Sequence, residues 1–294
     1  MPKELCIIGV PTNSAGRKGG VAGAPGALRR AGLEEALSCV CRVRDEGDVA
    51  FAAPSTERDA ESGIIARGSL VSMALGVNSA VSRAFSAGRF PLVIGGDCPV
   101  LLGCLMACSG RRTGLLFVDG HEDAYSAHQS PTGEAADMEL GFALGLEVPE
   151  QVKKALGTPL VAAFDVCILG ARDKGVLQKT GVRSLDGTVE LHSDSDLLDD
   201  IEGTTRNALQ KLAGDVWLHI DLDVLATDAL PAVDYQQPGG LSWAQLETLA
   251  RAAFSSGRIV GCNVTIYNPD MDPDGRHARR IVEFLKTVLG DRIF

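Results

Sequence analysis

Short apolar runs alternate with longer amphipathic ones along almost the whole chain, and this alternation restricts the fold more than any other feature. Residues 4–9 (ELCIIG), 90–94, 114–118, 166–169, 216–222 and 258–266 read as strands. Residues 25–36, 58–87, 99–108, 194–213, 242–256 and 273–289 read as helices. Within 58–87, Met73, Val77, Val81 and Phe85 recur at four-residue steps on one helical face. Pro25 stands near the start of its helix and Ser242 in an N-cap position. Strands separated by such helices pair through crossovers, which predicts an α/β fold with a mainly parallel sheet. No long linker, repeat or low-complexity block interrupts the pattern, so residues 1–294 are expected to form one domain. In such sheets functional residues collect at the carboxyl ends of strands.

Charge narrows the partners. Lys and Arg number 28 against 38 Asp and Glu, a formal net charge of −10. An acidic chain lacks the positive field that neutralises phosphates, which argues against nucleic acid and anionic membrane surfaces. No apolar run reaches the length of a membrane span. The opening MPKELCIIGVP reads as a strand rather than a secretory leader. The 8 cysteines are scattered, with neither zinc-finger spacing nor a disulfide framework. Free thiols and a cytoplasmic location are the expectation.

Three expected strand ends carry polar clusters. Residues 91–103 (PLVIGGDCPVLLG) run from a strand through two glycines to Asp97 and Cys98. Residues 115–125 (LLFVDGHEDAY) place Asp119, His121 and Asp123 at every second position. Residues 216–225 (VWLHIDLDVL) place Asp221 and Asp223 two apart. Alternate residues of an extended segment point to one side, so each set can converge. Carboxylates gathered at buried strand ends repel one another and lose hydration, and a cation must compensate. A divalent metal pair does this and acidifies bound water. Any one of these residues alone reads more readily as a turn, cap or satisfied polar group.

Several segments, in order, resemble the arginase/agmatinase (ureohydrolase) family. They are GGVAGAPGALRRAGL (19–33), GGDCPVLLG (95–103), DGHED (119–123) and DLDVLATDALPAVDYQQPGGL (221–241). The resemblance implies a three-layer α/β/α fold with a mostly parallel eight-stranded sheet and two divalent ions, Mn by resemblance. It implies a bridging hydroxide that attacks a guanidinium or amidine carbon of a small-molecule substrate. By position, Asp119 and Asp221 would bridge both ions. His121 and Asp223 would complete one site, and Asp123 and Cys98 the other. Asp123 would also accept a hydrogen bond from the hydroxide. A homo-oligomer is expected from the resemblance alone.

Three departures bear on the chemistry. Cys98 stands where the family usually has a metal-binding histidine, and a thiolate suits Zn, Fe, Co or Ni better than Mn. Its place before a helix N-terminus favours the thiolate. A small buried residue beside a weak site is the other reading of Cys98. Ile266, in NVTIYNP, replaces the carboxylate that holds a guanidinium, so ordinary arginase activity is not expected. The family's proton-shuttling histidine falls near Ala136, which leaves His128, Glu134 and Asp137 as polar candidates. Glu134 and His128 are the preferred catalytic pair. His219 can orient a ligand carboxylate or bond to backbone in the core. The leading expectation is a metal-dependent hydrolase of a non-peptide C–N bond in a guanidino, amidino or formimino compound. A non-catalytic metal- or ligand-binding protein and a one-metal amidohydrolase stay open.

Overall fold

The computed structural model describes residues 4–290. Its strands are β1 Leu5–Val10, β2 Val43–Asp48, β3 Phe90–Gly95, β4 Thr113–Val118, β5 Val166–Ala171, β6 Glu190–Ser193, β7 Asp215–Asp221 and β8 Ile259–Thr265. They form one sheet in the order β2-β1-β3-β8-β7-β4-β5-β6. Every neighbouring pair is parallel, so the sheet goes beyond the mostly parallel one expected.

Buried strand residues alternate between two apolar layers, as the pleat requires. Leu5 and Ile7 of β1, Leu116 of β4, and Leu218 and Ile220 of β7 share one layer. That layer is covered by α1 Ala24–Arg30, α2 Leu33–Ser38, α8 Asp194–Asp199, α9 Ile201–Lys211, α10 Trp243–Ser255 and α11 Arg276–Gly290. Cys6, Ile8, Phe117 and Trp217 face the other layer. There they meet α3 Arg67–Ser86, α4 Val100–Ala107, α5 Glu139–Leu144 and α6 Glu150–Leu156. A short α7, Lys174–Thr180, follows β5. The result is helices on both faces of one sheet.

Most expected elements form. Met73, Val77 and Val81 of α3 are buried. Ser242 caps α10 in a reciprocal capping box with Gln245. The helix expected over 58–87 begins only at Arg67, because Gly63 and Ala66 both take positive φ (73° and 51°) and Arg58 is tied instead to the carbonyls of Gly63, Ala127 and Ser130. The helix expected over 194–213 is two helices, broken at Asp200, whose carboxylate caps α9 at the Gly203 N–H, 2.9 Å away. Gly32, at φ 87°, likewise separates α1 from α2.

β2 (VRDEGD) and β6 (ELHS) carry no apolar run and were not expected. Both are edge strands, and charge on an edge blocks unwanted strand pairing. One charged group ties β2 to the helical layer. Arg29 of α1 donates from Nε and Nη2 to the two Asp45 oxygens at 2.6 and 2.9 Å, and from Nη1 to Asp48. Burial alone would raise the Asp45 carboxyl, but the Arg29 guanidinium and the Gly47 N–H hold it below the usual range. Its stabilisation is therefore present above the unfolded carboxylate range and lost as pH falls through the lowered folded value. Asp45→Asn is expected to cost about 1 kcal/mol near neutral pH. In urea titrations the gap from the parent should close below about pH 4. An equal gap at acid and neutral pH would contradict this assignment.

Candidate metal centre

The carboxyl ends of four adjacent strands, β3, β8, β7 and β4, supply the polar cluster. Asp119 directly follows β4, Asp221 ends β7, and Asp223 lies in the tight turn Leu222–Val224. Cys98 sits between β3 and α4. The turn before it is held closely. A Cβ on Gly96 would lie 2.0 Å from the Thr12 carbonyl oxygen, so only glycine fits there. Buried Asp97 accepts the Ser14 N–H at 2.7 Å and the Cys98 N–H at 3.0 Å. Burial pushes its carboxyl up to about 6.

Asp119 and Asp221 each accept the backbone N–H two residues on, from His121 at 2.7 Å and from Asp223 at 2.6 Å. These local bonds fix both turns. His121 Nδ1 then lies 2.9 Å from Asp223 Oδ2 and 3.6 Å from Asp119 Oδ1. One ligand atom each from Asp119, His121 and Asp223 falls within 4.8 Å of the others. The Cys98 thiol donates to Asp221 Oδ2 at 2.5 Å, and its sulfur lies 3.1 Å from Thr265 Oγ1. Cys98, Asp119, Glu139 and His219 form a second, fully buried group with the same 4.8 Å spread.

Asp123 has φ 41°. Its carbonyl accepts the N–H groups of Leu140 and Gly141 at 3.0 and 3.1 Å, pinning the DGHED loop onto the first turn of α5. That bond pair brings in Glu139, which sequence reasoning missed. Glu139 is 0% exposed. In the segment DMELGF it reads as an ordinary first-turn acid. Its apolar flanks, Met138, Leu140 and Phe142, were the available signal that it faces inward.

The electrostatics show a deficit of positive charge. Burial, then the charges of Glu139 and Asp119, raises Asp123 well above the carboxylate range. Burial, then Asp223 and Asp119, does the same to Asp221. Burial and the charge of Asp119 raise Glu139. Burial tends to raise Asp119 as well, but His121 and His219 bring it down to about 2. Burial works against a charged His121, yet Asp223 and Asp119 outweigh it and raise the imidazole. Cys98 requires a correction. A helix N-terminus was expected to favour its thiolate, but burial and the Asp221 carboxylate push the thiol well above its usual value. Asp119 Oδ2, His219 Nε2 and both Glu139 oxygens are buried without a hydrogen-bond partner. Orphaned carboxylate oxygens beside a thiol fit a divalent cation.

A cavity of about 320 Å³ opens over this cluster, with Cys98, His121, Asp123, Asp221, Asp223 and Ile266 on its wall. Glu134 and Asp137 also line it. Burial raises Glu134 despite the adjacent Tyr235 hydroxyl. It also pushes Asp137 up to about 6, although the Ser130 and Thr132 hydroxyls donate to it at 2.8 and 2.9 Å. His128, preferred with Glu134 as the catalytic pair, is not at the site. It is exposed and off the cavity wall, because the turn over residues 126–130, held by Arg58, points it to solvent. Ile266 sits at φ 71°, with its N–H on the Gly96 carbonyl at 2.9 Å. A β-branched residue there costs about 1–3 kcal/mol and marks a constrained site. A larger cavity of about 520 Å³ beside Glu202, Arg206 and Thr248 is far from every strand-end cluster.

The comparisons agree with this layout. The arginase family model matches residues 3–290. An arginase from Brevibacillus brevis is 28% identical, with both chains covered in full. The solved Bacillus caldovelox arginase superposes with a TM-score of 0.86 at 24% identity, covering 100% of both chains. A Bacillus subtilis formimidoylglutamase superposes at 0.73 with 18% identity, covering 98% of this chain and 86% of its own. A family match along nearly the whole chain places this protein in the arginase family.

Proposed function

We propose that this protein is a metal-dependent hydrolase of a non-peptide C–N bond in a guanidino, amidino or formimino compound. One observation carries the reading. Asp119 belongs to two potential ligand groups, one with His121 and Asp223 and one with Cys98, and those three partners line a cavity. The arginases and the formimidoylglutamase that resemble this chain are named for such substrates.

Asp119, His121, Asp223, Asp221, Asp123 and Cys98 would hold the ions. A divalent pair supplies two things when bound: acidified water and polarisation of the electrophilic carbon. The protein's own groups do the rest. Asp123, facing the cavity, accepts a hydrogen bond from the attacking water. Glu134 keeps its proton to higher pH than an ordinary carboxyl and gives it to the departing nitrogen. Ile266 gives one wall an apolar surface and no countercharge.

Substrate charge follows from the wall. Among the described residues no lysine or arginine lines the cavity, whereas Glu134, Asp137 and Asp173 do. A substrate carboxylate would find no cation, so neutral or cationic compounds are favoured. A panel of guanidino, amidino and formimino compounds, run with Mn, Fe, Co, Ni and Zn, is expected to yield turnover. Neutral or cationic members should be processed faster than their carboxylate-bearing analogues. A clear preference for the carboxylates would overturn the charge argument.

Asp119→Ala removes the residue common to both ligand groups. Activity should fall by about 10³-fold or more, with metal content lost in parallel. Full turnover by metal-free Asp119→Ala protein would refute the reading.

A further inference from the structure

Glu139 is the most unusual buried group in the molecule. It is 0% exposed, and neither oxygen meets a donor. Asp123 is its carboxylate neighbour, and a second carboxylate adds repulsion rather than a donor unless one of the pair carries a proton. One of its oxygens lies within 4.8 Å of Cys98 Sγ and of an Asp119 oxygen. It is held there by the bonds from Leu140 and Gly141 to the Asp123 carbonyl. Something positive belongs between Glu139, Asp119 and Cys98.

His219 belongs to the same group of atoms, but its protons are assigned elsewhere. The Trp217 indole N–H donates to Asn263 Oδ1 at 2.8 Å. That orients the Asn263 amide so that its NH2 donates to His219 Nδ1 at 2.6 Å. Nδ1 is therefore the acceptor, and neutral His219 carries its proton on Nε2. Nε2 stands 3.5 Å from Asp119 Oδ2, and the ring is stacked on Phe117 with centroids 4.5 Å apart. The imidazole steers Asp119 rather than binding an ion.

We infer that Glu139 is a metal ligand, joining Cys98 and Asp119 around one divalent transition-metal ion, with His219 as the residue that positions Asp119. This rests on the metal-dependent reading above and adds to it. Glu139 and a thiolate together replace the imidazole expected at this half of the centre. Cys98 also lines the cavity, so an ion held there would be reached from the cavity side. A mixed thiolate and carboxylate set is suited to Zn, Fe or Co.

The test uses the full-length protein stripped of metal and reloaded with Co(II). Parent protein should take up two ions per chain and show a near-ultraviolet thiolate-to-cobalt charge-transfer band. Cys98→Ser should lose the band. Glu139→Gln should keep the fold by circular dichroism and leave the stripped protein at least as stable, because an uncompensated buried carboxyl is removed. It should nevertheless weaken cobalt binding at the thiolate site by about tenfold or more, with the band shifted or diminished. Parent-like affinity and an unchanged band in Glu139→Gln would overturn the proposal and leave a proton shared with Asp123 as the role of Glu139. If the parent binds no cobalt at all, the metal-dependent reading fails as well, which separates the two outcomes.

Discussion

Mutual repulsion among buried carboxylates governs this structure. Asp119, Asp123, Glu139, Asp221 and Asp223 are all buried near the ends of two central strands or in the loop and helix that follow. Without compensation such a group must take up protons, and the raised values of Asp123, Glu139 and Asp221 show that pressure. The backbone nevertheless holds them together. Asp119 and Asp221 are fixed by their own turns, and Glu139 by the bonds from α5 to the Asp123 carbonyl. Backbone hydrogen bonds that gather like charges in this way support the proposed cation at their centre.

That constraint explains the rest of the architecture. An all-parallel sheet brings the carboxyl ends of β3, β8, β7 and β4 side by side, so residues over 120 positions apart meet without strain in any strand. Outside the loops, both faces are ordinary apolar packing. Three of the non-glycine residues at positive φ, Asp123, Tyr235 and Ile266, line the cavity. Ile266 is the residue on which the proposed change of substrate rests. It closes the wall with an apolar side chain where a carboxylate was expected, while acids persist at Glu134 and Asp137.

The buried strands and the strand-end polar clusters were legible because both follow short rules. Apolar runs marked β1, β3, β4, β5, β7 and β8, and two-residue spacing marked Asp119/His121/Asp123 and Asp221/Asp223. The edge strands β2 and β6 escaped because an edge carries charge in place of an apolar run. His128 was misplaced because its direction depends on a turn held by Arg58 from a distant segment. Glu139 escaped for a similar reason. Its burial depends on where α5 docks, and its apolar flanks Met138, Leu140 and Phe142 were the one local hint of it. At Cys98 burial and Asp221 outweigh the helix N-terminus, so the thiolate depends on the proposed cation rather than on the dipole.

Anomalous diffraction from metal-loaded crystals tests the central claim most directly. Difference maps collected at the absorption edges of the loaded metals would locate each ion against its ligands. The account predicts two peaks on either side of Asp119, at about 2.0–2.3 Å from ligand atoms. One should lie toward His121 and Asp223, the other toward Cys98 and Glu139. Fully loaded crystals with no peak in contact with Asp119 would contradict it.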